Sequence, residues 1–446
     1  MQPPSGLLRH RHDREILRLA VPAFGALVAE PLFLLADSAI VGHLGTPQLA
    51  GLGVAGTLLA TAVSLCIFLA YGTTAAVARR VGAGDLRAAT AQGIDGIWLG
   101  AGLGALLALA GLVAAEPLVA AFDPAQETAR HALAYLRVSL AGLPAMLVVL
   151  AATGVLRGMQ DTRTPLVVAS AGAAANVALN VLLVYGVGLG VAGSALGTVI
   201  AQAGMAAAFL VVVGRSARRH HAPLRPDLPG IRAAATAGVP LVVRTATLRA
   251  ALVAMTYVAT SVGTVAVAAH QVAFTIWMFL ALALDAVAIA GQAIVGRYLG
   301  AGDVVGAREA TRRMVEWGVA AGVLLAVVVI ALRAAYVPLF TPDADVRALL
   351  TAVLLVGALF QPVAGVVFAL DGILIGAGDG RYLAWAGVVT LVVFLPLAGL
   401  VLVTDAGLVA LWWAFNGFLL ARLATLVRRW RGDAWLVTGA AVPRRR

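Results

Sequence analysis

The sequence predicts an all-α integral membrane protein: twelve transmembrane helices in two six-helix lobes related by a parallel internal repeat. Three observations predict it. The chain is apolar from end to end, its arginines alternate between loops, and its second half matches its first in one register.

Of 446 residues, 61% are hydrophobic and 12% charged, and the mean hydropathy is +0.96. A soluble core cannot use that much apolar surface. A bilayer core of about 30 Å takes roughly 20 apolar residues per helix, and runs of that size follow one another with short polar breaks. In order, they lie near 16–41, 49–77, 93–115, 131–156, 165–185 and 191–214, then 233–260, 264–295, 315–332, 349–375, 382–403 and 406–426. The first run follows a basic amino terminus without a small-residue cleavage site, so it is expected to be retained as a span. The domains expected are an N-terminal lobe at 1–214, a linker at 215–232, a C-terminal lobe at 233–428 and a basic tail at 429–446.

The formal net charge is +11, and all 32 basic residues are arginines. Arg9, Arg11, Arg14 and Arg18 precede the first span, Arg79, Arg80 and Arg87 follow the second, and Arg215, Arg218, Arg219, Arg225 and Arg232 follow the sixth. The intervening loops are mildly acidic, with Asp123 and Glu127, and Asp343 and Asp345. By the positive-inside rule both termini are cytoplasmic in the plasma membrane, and the basic excess reports topology rather than nucleic-acid binding. His12 and His220, in these basic segments, are expected to be solvated. Without lysine there is no Walker A loop and no Schiff-base chemistry, so transport has to be secondary. Cys66 is the single cysteine, which excludes an intrachain disulfide and a cysteine metal site.

The repeat has an offset of 218 positions. Gly82-Ala83-Gly84-Asp85 aligns with Gly300-Ala301-Gly302-Asp303, Pro22 with Pro240, Pro144 with Pro362, and Asp161 with Asp379. Six spans per half is an even number, so both halves share one orientation and substrate is expected near the lobe interface or inside one lobe.

Ionisable groups at membrane depth are costly, and each is a functional candidate. Asp37 lies beyond Pro31, a hinge candidate whose ring removes a helical hydrogen bond. Asn176, Asn180 and Thr198 count to the depth of Asp37. That cluster is suited to exchanging a proton, and its oxygens equally suit Na⁺. Arg244, Arg249, Asp285 and Asp371 are substrate-cleft or gating candidates in the second half, with a buried ion pair or triad expected, and Glu30 is a lesser candidate. Gly188–Gly193 fits GxGxxG but lies between two apolar spans, so it is not a dinucleotide site. Gly100 and Gly104 read as a helix-packing pair.

The run from Pro31 through Asp37-Ser38 to Gly45 resembles the first-helix signature of the multidrug and toxic compound extrusion (MATE) family. Leu284-Asp285-Ala286, Gly291-Gln292-Ala293 and the segment from Leu370-Asp371-Gly372 to Gly378-Asp379 look like its DinF-like branch. The resemblance implies a monomeric exporter, not an enzyme, that moves amphipathic or cationic small molecules across the lipid bilayer by antiport. It implies no cofactor beyond H⁺ or Na⁺. Asp37 falls on the family's coupling aspartate and Asn176 and Thr198 on its polar partners. Asn180 stands where some relatives carry a second aspartate, which points to H⁺ over Na⁺. Two other functions are weighed: a lipid-linked precursor flippase of the same superfamily, for which Arg244 and Arg249 would serve, and a membrane-embedded transferase, for which no acidic or histidine motif is visible.

Overall fold

The computed structural model describes residues 11–440. Arg9, His10 and the last arginines of the basic tail lie outside the described residues. Among the described residues, the regular structure is entirely helical. The first half contains α1 (Asp13–Gly42), α2 (Thr46–Leu65) running on into α3 (Phe68–Gly82), α4 (Leu86–Ala120), α5 (Gln126–Leu140) with α6 (Leu143–Gly158), α7 (Arg163–Val181) closed by a π turn at Leu182–Gly186, and α8 (Gly190–Arg219). The second half contains α9 (Leu228–Val262), α10 (Thr264–Gly300), α11 (Val304–Phe340), α12 (Ala344–Leu359) with α13 (Gln361–Gly376), α14 (Gly380–Val403) and α15 (Gly407–Arg431). Counting each bent pair once, twelve stretches among the described residues are long and apolar enough to cross a membrane.

The repeat is visible in the causes of these elements. Pro144 and Pro362 sit in the first turns of α6 and α13. A proline ring is tolerated there but blocks continuation from the preceding helix, and the α5/α6 and α12/α13 pairs bend by 52° and 50°. Gly84 and Gly302 adopt positive φ, 79° and 76°, which only glycine enters at little cost. The next residues, Asp85 and Asp303, cap α4 and α11 by accepting from the Ala88 and Gly306 amides at 2.8 Å. Gly100 and Gly104 place α4 against the backbone of α6, where a Cβ on Gly100 would meet the Leu147 carbonyl at 2.8 Å. Gly318 and Gly322, their partners in the repeat, place α11 against Gly365 and Gln361 of α13. Close backbone approach of this kind is how membrane helices gain packing without a hydrophobic driving force.

The chain forms two compact units: Gly25–Gly238, and the described residues up to Phe24 together with those from Val239 onward. Each boundary falls within the first helix of a half. In the second unit, Arg313 of α11 holds Asp13 through Nε at 2.6 Å and Nη2 at 3.0 Å, and Trp317 Nε1 donates to the same carboxylate at 2.9 Å. Arg297 donates to Glu15 at 2.5 Å. In the other unit, Asp95 of α4 stands at the position corresponding to Arg313. It accepts from the Asp227 amide at 3.2 Å, while Trp98 Nε1 donates to the Leu224 carbonyl at 3.1 Å. The expectation for His12 needs correcting: it is buried, edge-on to Tyr298 and 3.9 Å from both Glu15 and Glu309. The basic neighbourhood suggested solvent, but the packing of α10 and α11 over the start of α1 removes it from water. His220 is half-buried, with Ser216 Oγ 3.3 Å from its Nδ1.

Candidate functional site: a buried carboxylate among neutral donors

α1 runs as one helix through Pro22 and Pro31. Pro31 carries no amide hydrogen, so the Leu27 carbonyl lacks its usual helical donor one turn before the segment that bears Asp37. Asp37 is buried, 2% exposed. Its Oδ1 accepts from Asn180 Nδ2 of α7 at 2.9 Å and from Ser194 Oγ of α8, and its Oδ2 accepts from Tyr135 Oη of α5 at 3.1 Å. Asn180 Nδ2 also reaches Asn176 Oδ1 at 3.2 Å, and Asn176 Nδ2 donates to Thr198 Oγ1 at 2.9 Å. One helical turn separates Asn176 from Asn180 and Ser194 from Thr198, so two helices each offer two polar groups on one face. The Tyr185 hydroxyl of the π turn donates to the Ile40 carbonyl at 2.6 Å, tying the end of α1 to α7.

The structure thus brings together Asp37, Asn176, Asn180 and Thr198, and adds Ser194 and Tyr135, which the sequence reading missed. Ser194 carried a signal, because it lies one turn before Thr198. Tyr135 carried none, since its span reads as amphipathic and the ring position follows only from how α5 packs. Among the described residues, no arginine or histidine touches the carboxylate. Asn180 Oδ1 is buried with no hydrogen-bond partner, against Gly197.

At the register of the repeat, the counterparts of Asp37, Tyr135, Asn176, Asn180 and Ser194 are Met255, Val353, Phe394, Ala398 and Trp412. All five lie in the apolar core of the second unit. Only Thr198 keeps a polar counterpart, Asn416, whose amide donates to the Val356 carbonyl at 3.2 Å. One architecture therefore packs the same place with hydrocarbon in one half and with a satisfied polar network in the other.

The second unit has its own buried charges. Asp371 of α13 accepts from Nη2 of Arg244 on α9 and from Nη2 of Arg422 on α15, and Asp371 and Arg422 are both buried. Arg422 was not among the residues expected here, because it sits near the basic end of the last span and reads there as a topology signal. Asp285 is half-buried on α10, while Arg249 is exposed on α9.

The family profile described as MatE matches residues 22–182 and again 240–400. The chain belongs to the MatE family. The two matches start at 22 and 240, a difference of 218, the offset read from the residues themselves. Among curated relatives, the chain is 31% identical over 435 residues to the chloroplastic DETOXIFICATION 44 protein of Arabidopsis thaliana, covering 94% of this chain and 81% of the relative. It is 28% identical to DNA damage-inducible protein F of Escherichia coli, covering 95% of this chain and 94% of that protein. A probable multidrug resistance protein NorM of Pseudomonas putida is 29% identical, covering 96% and 98%. Among solved structures, a MOP superfamily transporter from Pyrococcus furiosus superposes with a TM-score of 0.86 at 22% identity, covering 98% of this chain and 99% of that one. The MATE transporter VcmN of Vibrio cholerae gives 0.86 at 20% identity, covering 95% and 98%. These likenesses are of fold. The MatE chain is a multi-pass membrane transporter, not an enzyme.

Proposed function

We propose that this MatE protein exports amphipathic or cationic small molecules across the plasma membrane by antiport, with a proton as the counter-ion and Asp37 as its carrier. The observation that carries the reading is the position of Asp37: a carboxylate with no cationic partner among the described residues, held by neutral donors where the other half packs Met255 among hydrocarbon. The fold does not need polar groups there, so their presence calls for a function. The arginine-bearing segments support cytoplasmic termini, and the protein is taken to act as a monomer without a cofactor.

Ionised Asp37 suits the arrangement described, because Ser194, Asn180 and Tyr135 all donate to it. A protonated carboxyl needs an acceptor instead. Asn180 Oδ1, which has no partner, supplies one after a turn of the amide, an orientation assigned from its hydrogen bonds. Protonation from the outer side then weakens the bonds that Ser194 and Tyr135 donate and reverses the one from Asn180, and the helix beyond Pro31 repacks and expels the substrate. Deprotonation to the inside restores the binding form.

The test is ethidium efflux from energised inverted vesicles of wild type and Asp37→Asn, with a pH-sensitive dye and Na⁺ varied. Joint loss of efflux and proton exchange in the variant is expected. An Asp37→Asn protein that still exports and still exchanges protons would overturn the coupling role.

A further inference from the structure

We propose that Arg249 recognises an anionic group on the transported compound, so that the preferred substrates are zwitterionic amphiphiles carrying a carboxylate. This rests on the export reading above and names a substrate class for it.

Arg249 is 13 residues from Val262, the end of α9, or about 20 Å at 1.5 Å per residue. That places it near the middle of a hydrocarbon layer about 30 Å thick, too deep for its side chain to snorkel to a headgroup. It is nevertheless exposed. Val243, Ala246, Val253 and Tyr257 are exposed with it at spacings of three and four residues, which makes one continuous face of α9. A guanidinium facing lipid tails at that depth costs roughly 2.5–3.5 kcal/mol or more, so such residues face protein or water. No protein group bonds Arg249 among the described residues. Its face of α9 therefore lines a water-filled path.

The surrounding charge decides what that path attracts. Among the charges singled out above, the second unit carries Arg244, Arg249 and Arg422 alongside Asp285 and Asp371. Asp371 is already engaged by both Arg244 and Arg422, and Arg422 Nη1 still lacks a partner. Asp285 has an interaction of its own. Both of these carboxylates are thus occupied, and of the three arginines Arg249 is the one left open to an incoming group. Its planar fork matches a carboxylate or phosphate bidentately, and in a restricted aqueous path that bond is stronger than at an open surface.

The matched probes are rhodamine 110, which carries a free carboxylate beside its cationic ring system, and rhodamine 123, its methyl ester. Both would be measured for efflux and for binding to the purified full chain. Wild type is expected to favour rhodamine 110 by about tenfold or more, the worth of one charge-assisted hydrogen bond. Arg249→Gln should abolish that preference while leaving rhodamine 123 transport in place, and Arg249→Lys should restore part of it. Wild type that exports rhodamine 123 and shows no preference overturns the inference and leaves the export reading standing. Wild type that binds and exports neither dye overturns both. An equal fall for both dyes in Arg249→Gln, with less phospholipid co-purifying, assigns Arg249 to a lipid phosphate and also overturns the inference. The comparison within wild type holds even where a variant fails to fold.

Discussion

Asp37 and Met255 occupy the same place in the two halves of the chain, 218 positions apart: one is a carboxylate accepting from Asn180, Ser194 and Tyr135, the other a fully buried side chain among Val353, Phe394 and Trp412. Because the fold accepts both, Asp37→Asn, which keeps the shape and one acceptor oxygen, should alter the thermal midpoint in detergent by less than about 4 °C. Asp37→Met should be less stable than Asp37→Asn, because it leaves three donors buried without an acceptor at about 1–3 kcal/mol each. Scanning fluorimetry of both variants checks the order.

Asn180 donates to Asp37 at 2.9 Å. Asn180→Asp would set two carboxylates at that separation, where they cannot both ionise without a shared proton or a bound cation. The variant should gain thermal stability on adding Na⁺ that wild type lacks. A midpoint that Na⁺ leaves unchanged in the variant would count against a cation-binding geometry at this cluster.

Asp371 neutralises two arginines, the half-buried Arg244 and the buried Arg422. Removing one partner of a buried pair costs about 3–5 kcal/mol, because a charge is left uncompensated. Asp371→Ala, which strands both guanidiniums, should be the most damaging change in the second unit. Arg244→Ala should be milder, since Arg422 remains on the carboxylate. The folded yield by size-exclusion chromatography reports the difference.

The start of α1 is held by Arg313 and Trp317 on Asp13. Losing a charge-assisted hydrogen bond costs about 1.5–3 kcal/mol, which corresponds to roughly tenfold to hundredfold more frequent local opening. Arg313→Ala should therefore speed hydrogen exchange in residues 13–24 by that factor and leave residues 25–42 unaffected. Acceleration along the whole of α1 would show instead that the helix opens as one body.

Much of the architecture was legible in advance because lipid imposes a simple rule on the chain. Every span must be about one bilayer long and apolar, so the twelve runs, the arginine-bearing loops and the paired Pro144 and Pro362 bends stand out in one dimension. The GxxxG at Gly100 and Gly104 was legible for the same reason, and its echo at Gly318 and Gly322 follows from the offset. Depth along a helix is countable too, which is how Asn176, Asn180 and Thr198 were grouped with Asp37.

By itself, the sequence determined which residues are expensive to place in a membrane and how far along each span they lie, because the rise per residue turns numbering into depth. Only the tertiary structure decided which of them meet. The helix face and the choice of neighbour depend on packing around the axis, so Tyr135 and Ser194 closed the shell of Asp37, Arg422 joined Asp371, and His12 was buried. Packing also separated two arginines five residues apart on α9: Arg244 turns inward to an ion pair, while Arg249 stays exposed.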